Sequence, residues 1–241
     1  MLSESSCYEE HREVACLKDI RLLDCTLRDG GYVNGWNFGR SYIQYMLQRL
    51  LLAKIDIIEV GFINENNEFD YNRSVFPDAI STNVTLEKYD KGETMFFAMI
   101  DYGTCNIDKI HRKEFTFLDG IRVIFKKNNM LNALEYGRKL QEKGYLVALQ
   151  MVSITSYSDK DILIFCEGVN KIKPYAIGIV DTYGLMHKEQ AKHYFDLLDH
   201  NLDREIAIGY HSHNNFQLAY ANSVEILSMR TVRDLILDGS S

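Results

Sequence analysis

The stretch "LLDCTLRDGG", Leu22 to Gly31, starts as an apolar strand and ends on an arginine, an aspartate and two glycines. The first strand of a dinucleotide-binding sheet would hand over to a GxGxxG phosphate turn, whereas this one hands over to Arg28, Asp29, Gly30 and Gly31. An open Rossmann-like sheet is therefore the weaker of two architectures.

Working outward, the run from Ile20 to Thr26 is followed by strand-like runs at Ile55 to Val60, Met95 to Ile100, Ile121 to Phe125, Tyr145 to Met151, Ala176 to Val180, Ile206 to Tyr210 and Leu235 to Leu237. Helical spacing fills most of the gaps, as in Ile43, Met46, Leu47, Leu50 and Leu51, or Ile162, Phe165, Cys166, Val169 and Ile172. Ser158 with Asp161 forms a capping-box signal, and Asn215 stands as an N-cap before a helix from Phe216 to Leu227. The second and third connections are less clearly helical. Eight strand and crossover units in 241 residues predict a closed (β/α)8 TIM barrel of the α/β class. No repeat or linker divides the chain, so residues 1–19 read as an N-terminal extension and residues 20–241 as the barrel domain. The chain stops just past the eighth strand, which predicts a barrel lacking its last helix and C-terminal segment, truncated or one domain of a longer polypeptide.

Composition narrows the function. The chain is 46% hydrophobic with a formal net charge of −7 spread over intermixed acidic and basic residues, so it carries no nucleic-acid footprint, and an anionic ligand would need a local basic or metal centre. The five cysteines, Cys7, Cys16, Cys25, Cys105 and Cys166, are scattered without a CxxC pair, which argues for a reducing compartment and against structural zinc. No signal-peptide core or membrane-spanning apolar run is present, and a cytoplasmic protein with no membrane partner is expected.

Barrel active sites gather at the C-terminal strand ends, and five of these ends carry polar residues. They are Arg28 and Asp29 after strand one, Glu59 in strand two with Asn64 after it, Arg122 in strand four, Asp181 and Thr182 after strand six, and "HSHNN" from His211 at strand seven. His211 and His213 are two apart on an extended segment, so their imidazoles share one side. With Asp29 they would leave open positions on a divalent ion, as a catalytic metal needs. Set against that, an HxH alone is a weak signal, and an Arg–Asp pair at a strand end also serves as a structural salt bridge. Amidohydrolases use HxH as well, but on the first strand.

"LLDCTLRDGGY", "IDIIEVGF", "VDTYG" and "GYHSHNNFQLAYANS" resemble, in order and spacing, the signature segments of the metal-dependent aldolase and Claisen-condensation superfamily. This hydroxymethylglutaryl-CoA lyase-like family includes 4-hydroxy-2-oxovalerate aldolase, the type most similar here. The resemblance implies that Asp29, His211 and His213 bind a divalent ion, Mn²⁺ or Mg²⁺ in aldolases and Zn²⁺ in some synthases. It implies that Arg28 contacts an enolate oxygen, and thus a carbon–carbon lyase working through a metal-stabilised enolate of a 2-oxo acid such as pyruvate, with an aldehyde as the second reactant. Lewis-acid neutralisation and a fixed guanidinium suit that chemistry.

Glu59 and Asp181 fall where family members keep acidic groups near the metal, as orienters of a histidine or as proton-transfer groups. Arg122, Asn64, Thr182, Asn214 and Asn215 are candidate substrate contacts, although Arg122 equally suits an acidic neighbour and Asn215 a helix cap. Tyr32, also in the candidate catalytic set, stands where the 4-hydroxy-2-oxovalerate aldolases place a proton-transfer histidine, and a phenol with a pKa near about 10 is a poor base. The loop from Asn64 to Thr94 is long and asparagine-rich, as lids and specificity elements are. An acyl-CoA lyase or synthase is the alternative enzyme. A non-catalytic metal-binding barrel acting as an assembly partner is the alternative of another class. Homo-oligomerisation and a dehydrogenase partner, known among such aldolases, are both open.

Overall fold

A computed structural model describes residues 19–239. Apart from Asp19, the N-terminal extension lies outside the described residues, and Cys7 and Cys16 with it. The strands are β1 (Ile20–Asp24), β2 (Ile57–Ile63), β3 (Val75–Phe76), β4 (Met95–Asp101), β5 (Gly120–Phe125), β6 (Leu146–Met151), β7 (Ala176–Asp181), β8 (Ala207–Ser212) and β9 (Leu235–Gly239). All pair in parallel in the order β1-β9-β8-β7-β6-β5-β4-β2, and β1 closes the ring on β2 through Leu23↔Ile57 and Asp24↔Ile58. The two-residue β3 is an outrigger on the end of β2. The eight remaining strands make the anticipated barrel.

The helices are α1 (Thr26–Asp29), α2 (Arg40–Leu52), α3 (Asn83–Leu86), α4 (Met130–Glu142), α5 (Asp159–Ile172), α6 (Lys188–Asn201) and α7 (Ala219–Ser228). The two connections that lacked helical spacing contain, besides the outrigger β3, only the one-turn α3 and short 3-10 turns. In α4 the buried positions Met130, Ala133, Leu134, Gly137 and Leu140 recur at three and four residues and seat the helix on the barrel. The capping box of α5 is present: Asp161 N–H donates to Ser158 Oγ and Ser158 N–H to Asp161 Oδ2. Helix α7 starts later than the sequence suggests, and Asn214 rather than Asn215 accepts from its first N–H, that of Ala219. Among the described residues no helix is long and apolar enough to cross a membrane.

β2 and β7 are buried at every position, because their outer faces meet helices or loops and their inner faces fill the barrel. Leu23, Cys25, Ile57, Phe97, Ala148, Ala176, Ala207 and Ile236 form an apolar plug inside. Two residues further along β2, β6 and β9, on the same inward face, stand Glu59, Gln150 and Asp238, with Arg122 on β5, all at most 7% exposed. A polar layer thus floors the cavity at the C-terminal end.

Candidate metal centre

The first strand ends before Thr26, its expected limit, because the Asp24 carboxylate accepts from Thr26 N–H and Oγ, turning the chain into α1. This turn buries Arg28 instead of leaving it at a strand tip. Its neighbour Gly31 is also explained: a Cβ there would lie 2.0 Å from the Trp36 ring, and that indole donates from Nε1 to the Arg28 carbonyl at 2.6 Å. Tyr32 stacks edge-on against Trp36 at the rim.

Asp29, His211 and His213 converge. One ligand atom from each lies within 4.8 Å of the other two, and the two Nε2 atoms are 3.3 Å apart. Asp29 Oδ2 is 3.3 Å from His213 Nε2, and Asp29 Oδ1 is 4.0 Å from His211 Nε2. His213 Nδ1 donates to the Asp181 carbonyl at 2.9 Å, since a carbonyl can only accept, and His211 Nδ1 donates to Asp238 Oδ2 at 2.9 Å. In the neutral rings both Nε2 lone pairs then face one point beside a carboxylate, the donor set a divalent ion takes. The residues fit such an ion. Without it, the Asp29 hydrogen bond raises the pKa of His213. Burial works to raise that of Asp29, but His213, Arg28 and His211 outweigh it and hold it well below the carboxylate range.

Arg28 is gripped by Glu59 Oε2 at Nε and by Asp29 Oδ1 at Nη1, both at 2.6 Å, while its Nη2 makes no hydrogen bond among the described residues. Burial opposes its charge, but Glu59 and Asp29 more than offset this and raise its pKa. The cavity above these groups, about 300 Å³, is lined also by Tyr32, Arg122, Gln150 and Thr182 and by the apolar Met99, Ile124, Val152 and Val180.

Several expected site residues take other posts. Arg122 is engaged by Glu59 Oε2 at 3.2 Å and Asp238 Oδ2 at 2.6 Å, so its guanidinium serves acidic neighbours rather than a substrate carboxylate. Glu59 is 0% exposed, with both arginines on Oε2 and no partner for Oε1, and it does not line the cavity. The Asp181 carboxylate accepts from the backbone N–H groups of Leu185 and Met186, so only its carbonyl orients a histidine. Asn64 accepts from Asn66 N–H in a local turn, and Asn215 donates to the Tyr183 carbonyl; neither reaches the cavity. Thr182 does line it, its Oγ1 accepting from Ser153 N–H. The long loop after β2 is tied to the barrel where its β3 pairs with β2, with Phe69 stacked on Phe76 of β3 and Arg73 bridged to Asn37. The sequence reading did not pick out Asp238, whose signal is a charge at an inward position of the apolar run "LILDG".

Residues 118–230, which include both histidines, match the family model described as HMGL-like. The chain is 25% identical over 213 residues to a 4-hydroxy-2-oxovalerate aldolase of Rhodococcus jostii, covering 86% of this chain and 58% of that protein. It is 23% identical over 209 residues to an oxaloacetate decarboxylase of Mycobacterium tuberculosis, covering 85% of this chain and 60% of that one. The chain therefore spans little more than half the length of these relatives. Among solved structures, the N-terminal domain of a proposed aldolase from Bacteroides vulgatus superposes with a TM-score of 0.72 at 21% identity, over 92% of this chain and 72% of that one. Hydroxymethylglutaryl-CoA lyase from Pseudomonas aeruginosa gives 0.67 at 14% identity over 94% and 77%, a likeness of fold. The family resemblance read from the motifs is borne out, as is the barrel.

Proposed function

We propose that this chain is the barrel of a divalent-metal-dependent carbon–carbon lyase acting on a 2-oxo acid of the pyruvate type, most like an aldolase. The observation that carries it is the convergence of Asp29, His211 and His213 beside the unbonded Nη2 of Arg28 on one cavity. Relatives named as an aldolase and as an oxaloacetate decarboxylase support chemistry at a 2-oxo acid.

Asp29, His211 and His213 would hold Mn²⁺ or Mg²⁺, with Zn²⁺ the alternative, and the ion would supply Lewis-acid polarisation of the substrate carbonyl. Arg28, already clamped by Glu59 and Asp29, meets the developing enolate oxygen with Nη2 and needs no reorganisation to do so. Thr182 Oγ1 accepts from the backbone and keeps its O–H to orient substrate. Burial raises the pKa of the Tyr32 phenol although Arg28 opposes it, so Tyr32 serves as a hydrogen-bond donor and not as the base. The scattered cysteines, with Cys25, Cys105 and Cys166 buried and free, support a cytoplasmic setting.

The test is exchange of the methyl protons of pyruvate for deuterium, followed by mass spectrometry. Exchange is expected to require an added divalent ion and to vanish in His211→Ala. Ion binding without exchange sinks the lyase and leaves the non-catalytic metal-binding barrel, a reading favoured by Tyr32 in the place of a histidine.

A further inference from the structure

Gln150 stands in β6, aligned with Ile124 of β5 and Gly178 of β7, and is 3% exposed. Its Oε1 is buried without a hydrogen-bond partner, so the atom by which the amide meets the cavity is the donor Nε2, which has no acceptor among the described residues. A Cβ on Gly178 would fall 1.7 Å from Oε1 and 2.7 Å from Nε2, so the missing side chain at that position is what seats the amide. A carbonyl oxygen buried without a donor is destabilising, and methionine would fill a similar volume without that penalty. What the glutamine supplies in return is an N–H facing the cavity.

The surroundings define the atom that would take this N–H. Arg28 and Asp29 follow β1, His211 and His213 stand at the end of β8, and β7 separates β6 from β8. The amide therefore meets a part of the ligand other than the one gathered at Asp29, His211, His213 and Arg28. Met99, Ile124, Val152 and Val180 make the wall apolar, and Arg122 is neutralised by Glu59 and Asp238. A neutral donor in such a wall suits an uncharged carbonyl or hydroxyl oxygen better than a second carboxylate. An aldol substrate carries that oxygen on C4. Overall, its C3–C4 bond breaks, and the C4 hydroxyl passes its proton to C3 and becomes the aldehyde carbonyl.

We propose that Gln150 Nε2 donates a hydrogen bond to the oxygen on C4 of the substrate, which is the carbonyl oxygen of the aldehyde released. This rests on the 2-oxo-acid lyase reading above. A site built to bond that oxygen discriminates against the analogue with a methyl group in its place, because the N–H is then left unpaired.

The experiment uses the full chain with Mn²⁺. Wild type and Gln150→Met are titrated with 2,4-dioxopentanoate and 4-methyl-2-oxopentanoate, which differ at C4 by an oxygen for a methyl group, and both proteins are melted without ligand. The preference for the dioxo acid is expected to be about tenfold larger in wild type than in Gln150→Met, a ratio in which any intrinsic difference between the two acids toward the ion cancels. The variant is expected to melt at or above wild type. Equal preferences in the two proteins, or a wild type that binds neither acid, overturn the proposal. So does a variant that melts several degrees lower, which would make the amide a structural group. Pyruvate methyl exchange in the wild type tests the lyase reading by itself: its absence with the difference in preference intact removes the lyase and leaves Gln150 as a reader of the ligand oxygen.

Discussion

His211 Nδ1 lies 2.9 Å from Asp238 Oδ2, and the same oxygen takes Arg122 Nη2 at 2.6 Å. One buried carboxylate on β9 thus holds the His211 ring and anchors an arginine that continues to Glu59 and from there to Arg28. Replacing it by Asp238→Asn keeps the shape and removes the charge. Affinity for Mn²⁺ is expected to fall roughly 10- to 100-fold, as for other second partners of ligating histidines, and isothermal titration reads this. Affinity unchanged within twofold would refute the orienting role.

Asp29→Ala and His213→Ala each remove one of the three proposed ligands. Near-stoichiometric Mn²⁺ in the wild type should drop to background in both, measured by elemental analysis after gel filtration. Retention in both variants would move the ion away from this trio.

Arg28→Lys keeps the positive charge but loses the planar fork that bonds Glu59 and Asp29 while leaving Nη2 free. The rate of pyruvate methyl exchange is expected to fall about 10²- to 10³-fold, the usual loss for one oxyanion donor. A variant within threefold of wild type would take Arg28 out of the chemistry.

Gly31→Ala would push a methyl group into the Trp36 ring, whose Nε1 holds the Arg28 carbonyl. Overpacking of this kind costs about 1–3 kcal/mol, and denaturant titration should show it together with weaker ion binding. Wild-type stability would mean that the indole moves freely.

Away from the site, Asp161 caps α5 and pairs with Lys127, which with Ser158 lowers its pKa from 3.8 to about 2. A depressed carboxylate contributes stability that is present above its unfolded pKa and lost as pH falls through the folded one. The difference in melting temperature between wild type and Asp161→Asn should therefore be full at pH values above about 5 and shrink as pH falls from about 4 toward 2. A difference constant down to the acid end would rule out the charge as its source.

How far the sequence reached follows from which interactions are local. Strand runs, helical spacing, the capping box at Ser158 and the HxH pair all depend on residues a few positions apart, so period and propensity were enough to determine the barrel and to nominate Asp29, His211 and His213. Even the weak spots were local, since the connections without helical spacing proved to be short turns. What only the tertiary structure decided is the partnership of buried charges. Arg122 and Asp238 are 116 residues apart, and Arg28 and Glu59 are 31 apart. Nothing in the neighbourhood of Arg122 tells whether it will meet a substrate carboxylate or Asp238, because that depends on which strands close the barrel and which inward positions share a layer. Likewise Gln150 is one polar residue in an apolar run until Gly178, 28 positions on, leaves it room and no partner.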